Sequence, residues 1–199
     1  MTDATMIADP EEGAIARWLG ERLGRAGASA ISIPGGSTPF PILAGLSGID
    51  WHGIEVWPGD DRCVPQDHPA SNTGRIRAAL EPWGARVVAL TLDARPPRFD
   101  LVWLGMGEDG HIASLFPSSD PRADDPRPVR KIVPDPLPPE APFARLSLTI
   151  PALLNSAEIV FVIRGGAKRA LFEAALRGEH DLPVARLLGA ANQPVTCFC

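Results

Sequence analysis

Asp109 and His111 stand one glycine apart in the stretch Leu104-Gly105-Met106-Gly107-Glu108-Asp109-Gly110-His111. Imidazole exchanges protons near neutral pH, so His111 is the best general base in this chain. Asp109 is close enough in sequence to fix its tautomer. Gly105, Gly107 and Gly110 carry no Cβ, which lets backbone approach a ligand closely. Ser114 follows three residues after His111, but no Gly-x-Ser-x-Gly elbow accompanies it, so a serine nucleophile is not supported. Packing at a helix N-terminus is the expected role of Ser114.

A second group of residues suits an anion. Gly35-Gly36-Ser37-Thr38 lies between an apolar run and a helix start, where unpaired N–H groups, the helix dipole and two hydroxyls favour negative charge. The segment lacks the lysine of a P-loop and the third glycine of a dinucleotide fingerprint, which disfavours nucleotide binding. Arg62 and Lys168, each just past a strand end, are the cationic candidates. Gly36 and the 107–110 loop are the guesses for N–H groups that stabilise an oxyanion. His52, His68 and His180 lie in surface-like contexts and are taken as incidental. Cys63, Cys197 and Cys199 have no paired metal spacing and form no disulfide framework, so no metal, no cofactor and reduced thiols are expected.

These residues must be positioned by strands and helices. Four β-prone runs, 30–33, 54–57, 99–104 and 159–163, each lead into a loop rich in glycine or charge. Further strands are expected at 87–90, 195–199 and 145–150. In the last, Leu146, Leu148 and Ile150 alternate onto one face, as in a half-exposed or edge strand. Asp9-Pro10-Glu11-Glu12 reads as a capped helix start, followed by Ile15, Trp18, Leu19 and Leu23 at helical spacing and Gly24 as the end. Other helices are expected from Thr38-Pro39 toward Gly48, from a Ser71 cap to Glu81, and over 167–176 before Gly178. The proline-dense stretch 117–142 reads as a surface excursion with a short extended piece at 129–133. Alternating strands and helices predict an α/β fold, a single three-layer domain over 1–199. Its mostly parallel Rossmann-like sheet would carry helices on both faces and bind ligands at the carboxyl ends of the strands.

The chain has 199 residues, 45% of them hydrophobic, enough for one sizeable core. Its net charge of −5 argues against nucleic acid as a partner, although a few local cations can still hold a phosphate. No apolar run approaches the roughly 20 residues that span a bilayer, and the acidic N-terminal decapeptide is not a secretory signal. A cytoplasmic protein, a monomer or weak homo-oligomer without membrane contact, is the expectation.

Taken in order, several motifs resemble the 6-phosphogluconolactonases, within the family that includes the glucosamine-6-phosphate deaminases. They are Gly35-Gly36-Ser37-Thr38-Pro39; Ile49-Asp50-Trp51; Asp60-Asp61-Arg62-Cys63-Val64-Pro65; His68-Pro69-Ala70-Ser71-Asn72; Phe99-Asp100-Leu101 through Leu104-Gly105-Met106-Gly107; Asp109-Gly110-His111 with Ala113-Ser114-Leu115-Phe116-Pro117; Arg145-Leu146-Ser147-Leu148-Thr149; and Lys168. The resemblance spans residues 30–176. It implies hydrolysis of 6-phospho-D-glucono-1,5-lactone in the oxidative pentose phosphate pathway. His111 and Asp109 would be catalytic, and Gly35, Gly36, Ser37, Thr38, Arg62 and Lys168 would hold the phosphate. Asp60, Asp61, Gly107, Gly110 and Arg145 are further site candidates. Deaminases carry Phe-Asn-Glu where this chain has Ser114-Leu115-Phe116, which matches the lactonase pattern. A sugar-phosphate isomerase or deaminase and a non-catalytic sugar-phosphate sensor are the alternatives. The chain departs from the family at Asp61, where glutamate is usual, and at Pro34, where serine is usual. It stops at Cys199, earlier than is common, so a final helix is expected to be missing.

Overall fold

The computed structural model describes residues 4–25, 29–137 and 141–199. Its first half runs β1 (Ala4–Ile7), α1 (Glu12–Leu23), β2 (Ala30–Ile33), α2 (Pro39–Ala44), β3 (Glu55–Pro58), β4 (Asp60–Arg62), α3 (Asn72–Leu80) and β5 (Arg86–Val87). Then come β6 (Leu101–Leu104), β7 (Val129–Ile132), β8 (Arg145–Leu148), α4 (Ile150–Leu154), β9 (Ile159–Val162), α5 (Gly166–Leu176), α6 (Pro183–Ala190) and β10 (Val195–Phe198).

Seven strands pair in parallel in the order β1-β10-β9-β6-β2-β3-β5. Strands β2, β6, β9 and β10 are buried along their whole length, which is why they read as apolar runs rather than alternations. On one face, Ile15 and Leu19 of α1, Ile42 and Leu43 of α2, and Ile76 and Leu80 of α3 pack against Ile31, Val56 and Trp103. On the other, Leu153 of α4, Phe172 of α5 and Val184 and Leu187 of α6 pack against Val102, Ile159 and Phe161. Phe161 and Phe172 meet edge to face, with ring centroids 4.9 Å apart. The three-layer α/β arrangement and the mostly parallel sheet are as the sequence predicts.

From β2 the chain moves outward to β3 and β5, then crosses back to β6 on the opposite side of β2. The strand order therefore reverses between β2 and β6. Loops leaving two such strands diverge, and the crevice between them is where open α/β sheets bind ligands. Here those loops are Gly35-Gly36 and Gly105-Met106-Gly107.

Several elements differ from expectation. The alternating stretch at 145–150 is the middle strand of a second, antiparallel sheet in the order β4-β8-β7, and Ile150 opens α4 instead of extending it. Its partners come from a charged tripeptide and from the proline-rich excursion, neither of which has a hydrophobic period. That excursion does hold an extended piece, β7, where expected; residues 138–140 of it lie outside the described residues. Asp9 does not cap α1: it sits at φ +46 with its N–H bound to the Cys199 carbonyl at 2.7 Å, so the helix starts beyond it. Glu11 takes the capping position without a side-chain bond. The strand expected at 87–90 is only Arg86–Val87. β1 and α6 have no counterpart in the sequence reading.

Helix α3 begins where expected, with the Ser71 hydroxyl accepting the Gly74 N–H at 3.0 Å. The larger anchor is Asp61. Its carboxylate accepts the backbone N–H groups of Arg62, Asn72 and Thr73 at 2.8, 2.6 and 3.1 Å and the Ser71 hydroxyl at 3.1 Å. Asp61 is thus a buried helix anchor and not a ligand-facing acid. Asp61→Ala should lower unfolding free energy by about 2–4 kcal/mol, since it strips several charge-assisted bonds from buried donors. Urea denaturation checks this; a loss below about 0.5 kcal/mol, the usual range for neutral surface changes, would refute the anchoring role.

Candidate active site

After β6 the chain closes into a tight loop. The Gly107 N–H donates to the His111 carbonyl at 2.9 Å, and the Gly110 N–H donates to the Gly107 carbonyl at 3.1 Å. Gly107 is required sterically, because a Cβ there would overlap the His111 ring and the Asp109 carboxylate. Gly110 adopts φ +76 and faces Leu182, 2.9 Å from where its Cβ would be. Both N–H groups are spent inside the loop, so Gly107 and Gly110 shape the site and do not serve as oxyanion donors.

Asp109 Oδ1 accepts from His111 Nδ1 at 2.6 Å and from the His111 backbone N–H at 3.2 Å. An ionised carboxylate only accepts, so Nδ1 is the donor, which in the neutral imidazole places the lone pair on Nε2. Burial pushes the Asp109 carboxyl upward, but the His111 charge and its two hydrogen bonds outweigh this and hold it below the usual carboxylate range. Asp109 therefore stays ionised at neutral pH. Phe116 packs against the imidazole with centroids 4.7 Å apart, fixing the ring from a second side.

His111 opens on a cleft of about 320 Å³ at the reversal between β2 and β6. Gly35, Gly36, Asp60, Arg62, Gly107, Arg145 and Lys168 line it as well. Of the remaining residues singled out from sequence, Asp109 stands behind His111, and Asp61 faces α3. Ser37 is exposed and does not line the cleft, because the helix begins two residues later and its turn points outward. Thr38 borders an adjoining cavity of about 90 Å³ that shares Gly35, Gly105 and Lys168 with the cleft.

Strand alternation explains the Asp60-Asp61-Arg62 triplet. With Asp61 turned to α3, Asp60 and Arg62 turn the other way, toward the cleft. Asp60 Oδ2 and the Ser114 hydroxyl are 2.5 Å apart, and the Asn72 amide donates to the Asp60 carbonyl at 2.9 Å. Burial raises the Asp60 carboxyl above the ordinary range, against the opposing pull of the Ser114 hydrogen bond and of Arg62 and Arg145. No helix begins at Ser114. Its N–H donates to the Ser147 hydroxyl at 3.2 Å, so Ser114 ties the loop after β6 to the small antiparallel sheet and does not cap a helix. Arg62 donates to the Ala70 carbonyl at 2.8 Å and Arg145 to that of Ala141 at 3.2 Å, which positions both guanidinium groups at the cleft.

The lining residues absent from the sequence candidates include Asn72, Met106, Ala113 and Phe116. Asn72 has a legible trace only in Gly35, since a Cβ on Gly35 would overlap the Asn72 amide. The other three histidines lie elsewhere. His52 is exposed beside Asp50, His68 accepts the Ala70 N–H at 3.0 Å, and His180 Nε2 meets the Leu171 carbonyl at 3.1 Å. Among the described residues, no group of three or more His, Cys, Asp or Glu side chains could hold a metal ion.

Comparison with known proteins identifies the relatives of this fold. The profile of the glucosamine-6-phosphate isomerases/6-phosphogluconolactonase family matches residues 2–90 and 81–196. A 6-phosphogluconolactonase of Mesorhizobium japonicum is 33% identical over 222 residues, covering 98% of this chain and 92% of that one. The crystal structure of a 6-phosphogluconolactonase from Shewanella baltica superposes with a TM-score of 0.82 at 25% identity, covering 98% of this chain and 97% of that one. A monomeric glucosamine-6-phosphate deaminase shares the fold, with a TM-score of 0.79 at 16% identity over 98% and 96% of the two chains. The profile match and the near-full-length relative, on a fold with this cleft, establish that the chain belongs to the glucosamine-6-phosphate isomerase/6-phosphogluconolactonase family.

Proposed function

We propose that the chain hydrolyses 6-phospho-D-glucono-1,5-lactone to 6-phosphogluconate, with water as the nucleophile and His111 as the base. The observation that carries this reading is the Asp109–His111 pair, in which Asp109 holds the imidazole by Nδ1 at the edge of a cleft with cations along its walls. A lactone is an activated ester, so hydrolysis needs a base, an anion-stabilising site and positioning, without a covalent intermediate. Nε2 removes a proton from water as the water oxygen bonds to C1, and the carbonyl electron pair moves onto oxygen. When the tetrahedral species collapses, the bond from C1 to the ring oxygen breaks, and Nε2 returns the proton to that oxygen. Asp109 stabilises the imidazolium formed between the two steps.

The substrate phosphate would be held by Gly35, Gly36, Thr38, Arg62 and Lys168, supplying binding energy remote from the reacting carbon. Among the described residues the Gly36 N–H has no backbone acceptor, which leaves it available to an anion. The deaminase reading lacks its acid: Ser114, Leu115 and Phe116 occupy the motif, with Ser114 tied to Asp60 and Phe116 against His111. A sensor has no use for an oriented base. We read the protein as a cytoplasmic enzyme on a small sugar-phosphate lactone; no helix of the described residues is long and apolar enough to cross a membrane.

His111→Ala should lower kcat by about 10²–10⁴ while leaving affinity for 6-phosphogluconate within a few-fold. A coupled assay corrected for spontaneous lactone opening checks it, and near-normal turnover would end the assignment. Lys168→Ala and Arg62→Ala should each cost about 1.5–3 kcal/mol in kcat/KM on the phosphorylated lactone. On D-glucono-1,5-lactone, which has no phosphate, the penalty should largely vanish. Equal losses on both substrates would move these residues from the phosphate to the chemistry or the fold. Activity should also survive exhaustive EDTA treatment, and chelator-sensitive activity restored by one divalent ion would recast His111 as a ligand.

A further inference from the structure

The small cavity adjoining the cleft contains a residue with no part in the scheme above. Thr38, Arg164 and Lys168 form its polar wall, and it opens onto the cleft beside Gly35 and Gly105. At about 30 Å³ per water in the liquid, its volume of about 90 Å³ holds roughly three waters, comparable to the three terminal oxygens of a phosphoryl group.

Arg164 follows β9, immediately before Gly165, whose φ of +95 turns the chain into α5. Lys168 lies one helical turn further on, and both side chains border the same cavity. Among the described residues, the exposed Arg164 side chain makes no hydrogen bond or ion pair. Three arginines further along the chain are each bound by acids: Arg169 by Glu173, Arg177 by Glu179, and Arg186 by Asp181 and Asp120. The first turn of α5 offers no acid to Arg164 or Lys168. Two unneutralised cations beside one cavity repel each other, and an anion between them turns that repulsion into two attractions. A dianionic phosphoryl group has the charge and the size.

We infer that Arg164 is a third cation for the substrate phosphate, beside Arg62 and Lys168: the phosphate sits where the side cavity meets the cleft, between Arg164 and Lys168, with the Thr38 hydroxyl as a further donor. The identity of the phosphate ester rests on the lactonase reading; the anion site does not. Arg164→Ala should lower kcat/KM on 6-phospho-D-glucono-1,5-lactone about tenfold, chiefly through KM, and change turnover of D-glucono-1,5-lactone less than twofold. Arg164→Lys should restore most of the loss, and inorganic phosphate should inhibit Arg164→Ala more weakly than the parent. An equal loss on both lactones, or none on the phosphorylated one, would overturn the assignment. If the parent protein does not hydrolyse the phosphorylated lactone, the lactonase reading falls, and thermal stabilisation by inorganic phosphate decides the site alone. Stabilisation present in the parent and lost in Arg164→Ala supports it; stabilisation equal in both, or absent from both, overturns it.

Discussion

The carboxylate of Asp61 does not line the cleft, yet the cleft depends on it. Three of its four hydrogen bonds join β4 to the cap and first turn of α3, and the fourth holds the Arg62 N–H. That join places Asn72, whose amide grips the Asp60 carbonyl and fills the space beside Gly35. The small antiparallel sheet, the start of α3 and the first glycine loop are thereby held in one register. Because strand side chains alternate, the same anchoring turns Asp60 and Arg62 to the opposite side. A charge buried behind the wall thus sets the shape of the wall.

Two aspartates near the chemistry show how environment divides one residue type into two states. Asp60 is largely stripped of water and is pushed toward its neutral form, even with Arg62 and Arg145 nearby. Asp109 is half exposed and faces a base that can carry positive charge, so it remains a carboxylate. The first suits a structural knot with Ser114 and Asn72. The second suits orientation of an imidazole. Sequence position alone does not distinguish them; desolvation and the nearest positive charge do.

What could be read from the sequence follows from where the physical signal is local. Strands β2, β6 and β9 announce themselves because both faces are buried, and α1 and α5 because their apolar residues recur at helical spacing. The Asp109–His111 pair is equally local, since its partners are two residues apart. By contrast, Asp60-Asp61-Arg62 is a strand only because β8 lies alongside and accepts its pairing. The contact of Asn72 with Gly35, and the turn of Ser37 away from the cleft, depend on tertiary placement. Asp9 looks like a helix cap until the Cys199 carbonyl claims its N–H. Helix α6 is different: Val184, Leu187 and Leu188 do carry a helical period, and its signal was there to be read.

The outermost strand pair bears on how the molecule opens. Residues Ala4, Thr5, Met6 and Ile7 pair with Val195, Thr196, Cys197 and Phe198, so this ladder joins segments nearly a chain length apart. Closing so large a loop carries the greatest entropic cost of any strand pairing in the sheet. Among the described residues β1 lies at the sheet's edge beside β10, whereas β2 and β6 are flanked on both sides. Amide exchange should therefore proceed through fraying of β1 well before the central strands release their protons. The loops of the site hang from the central strands β2 and β6, so the edge of this sheet can breathe while the strands that carry the site stay paired.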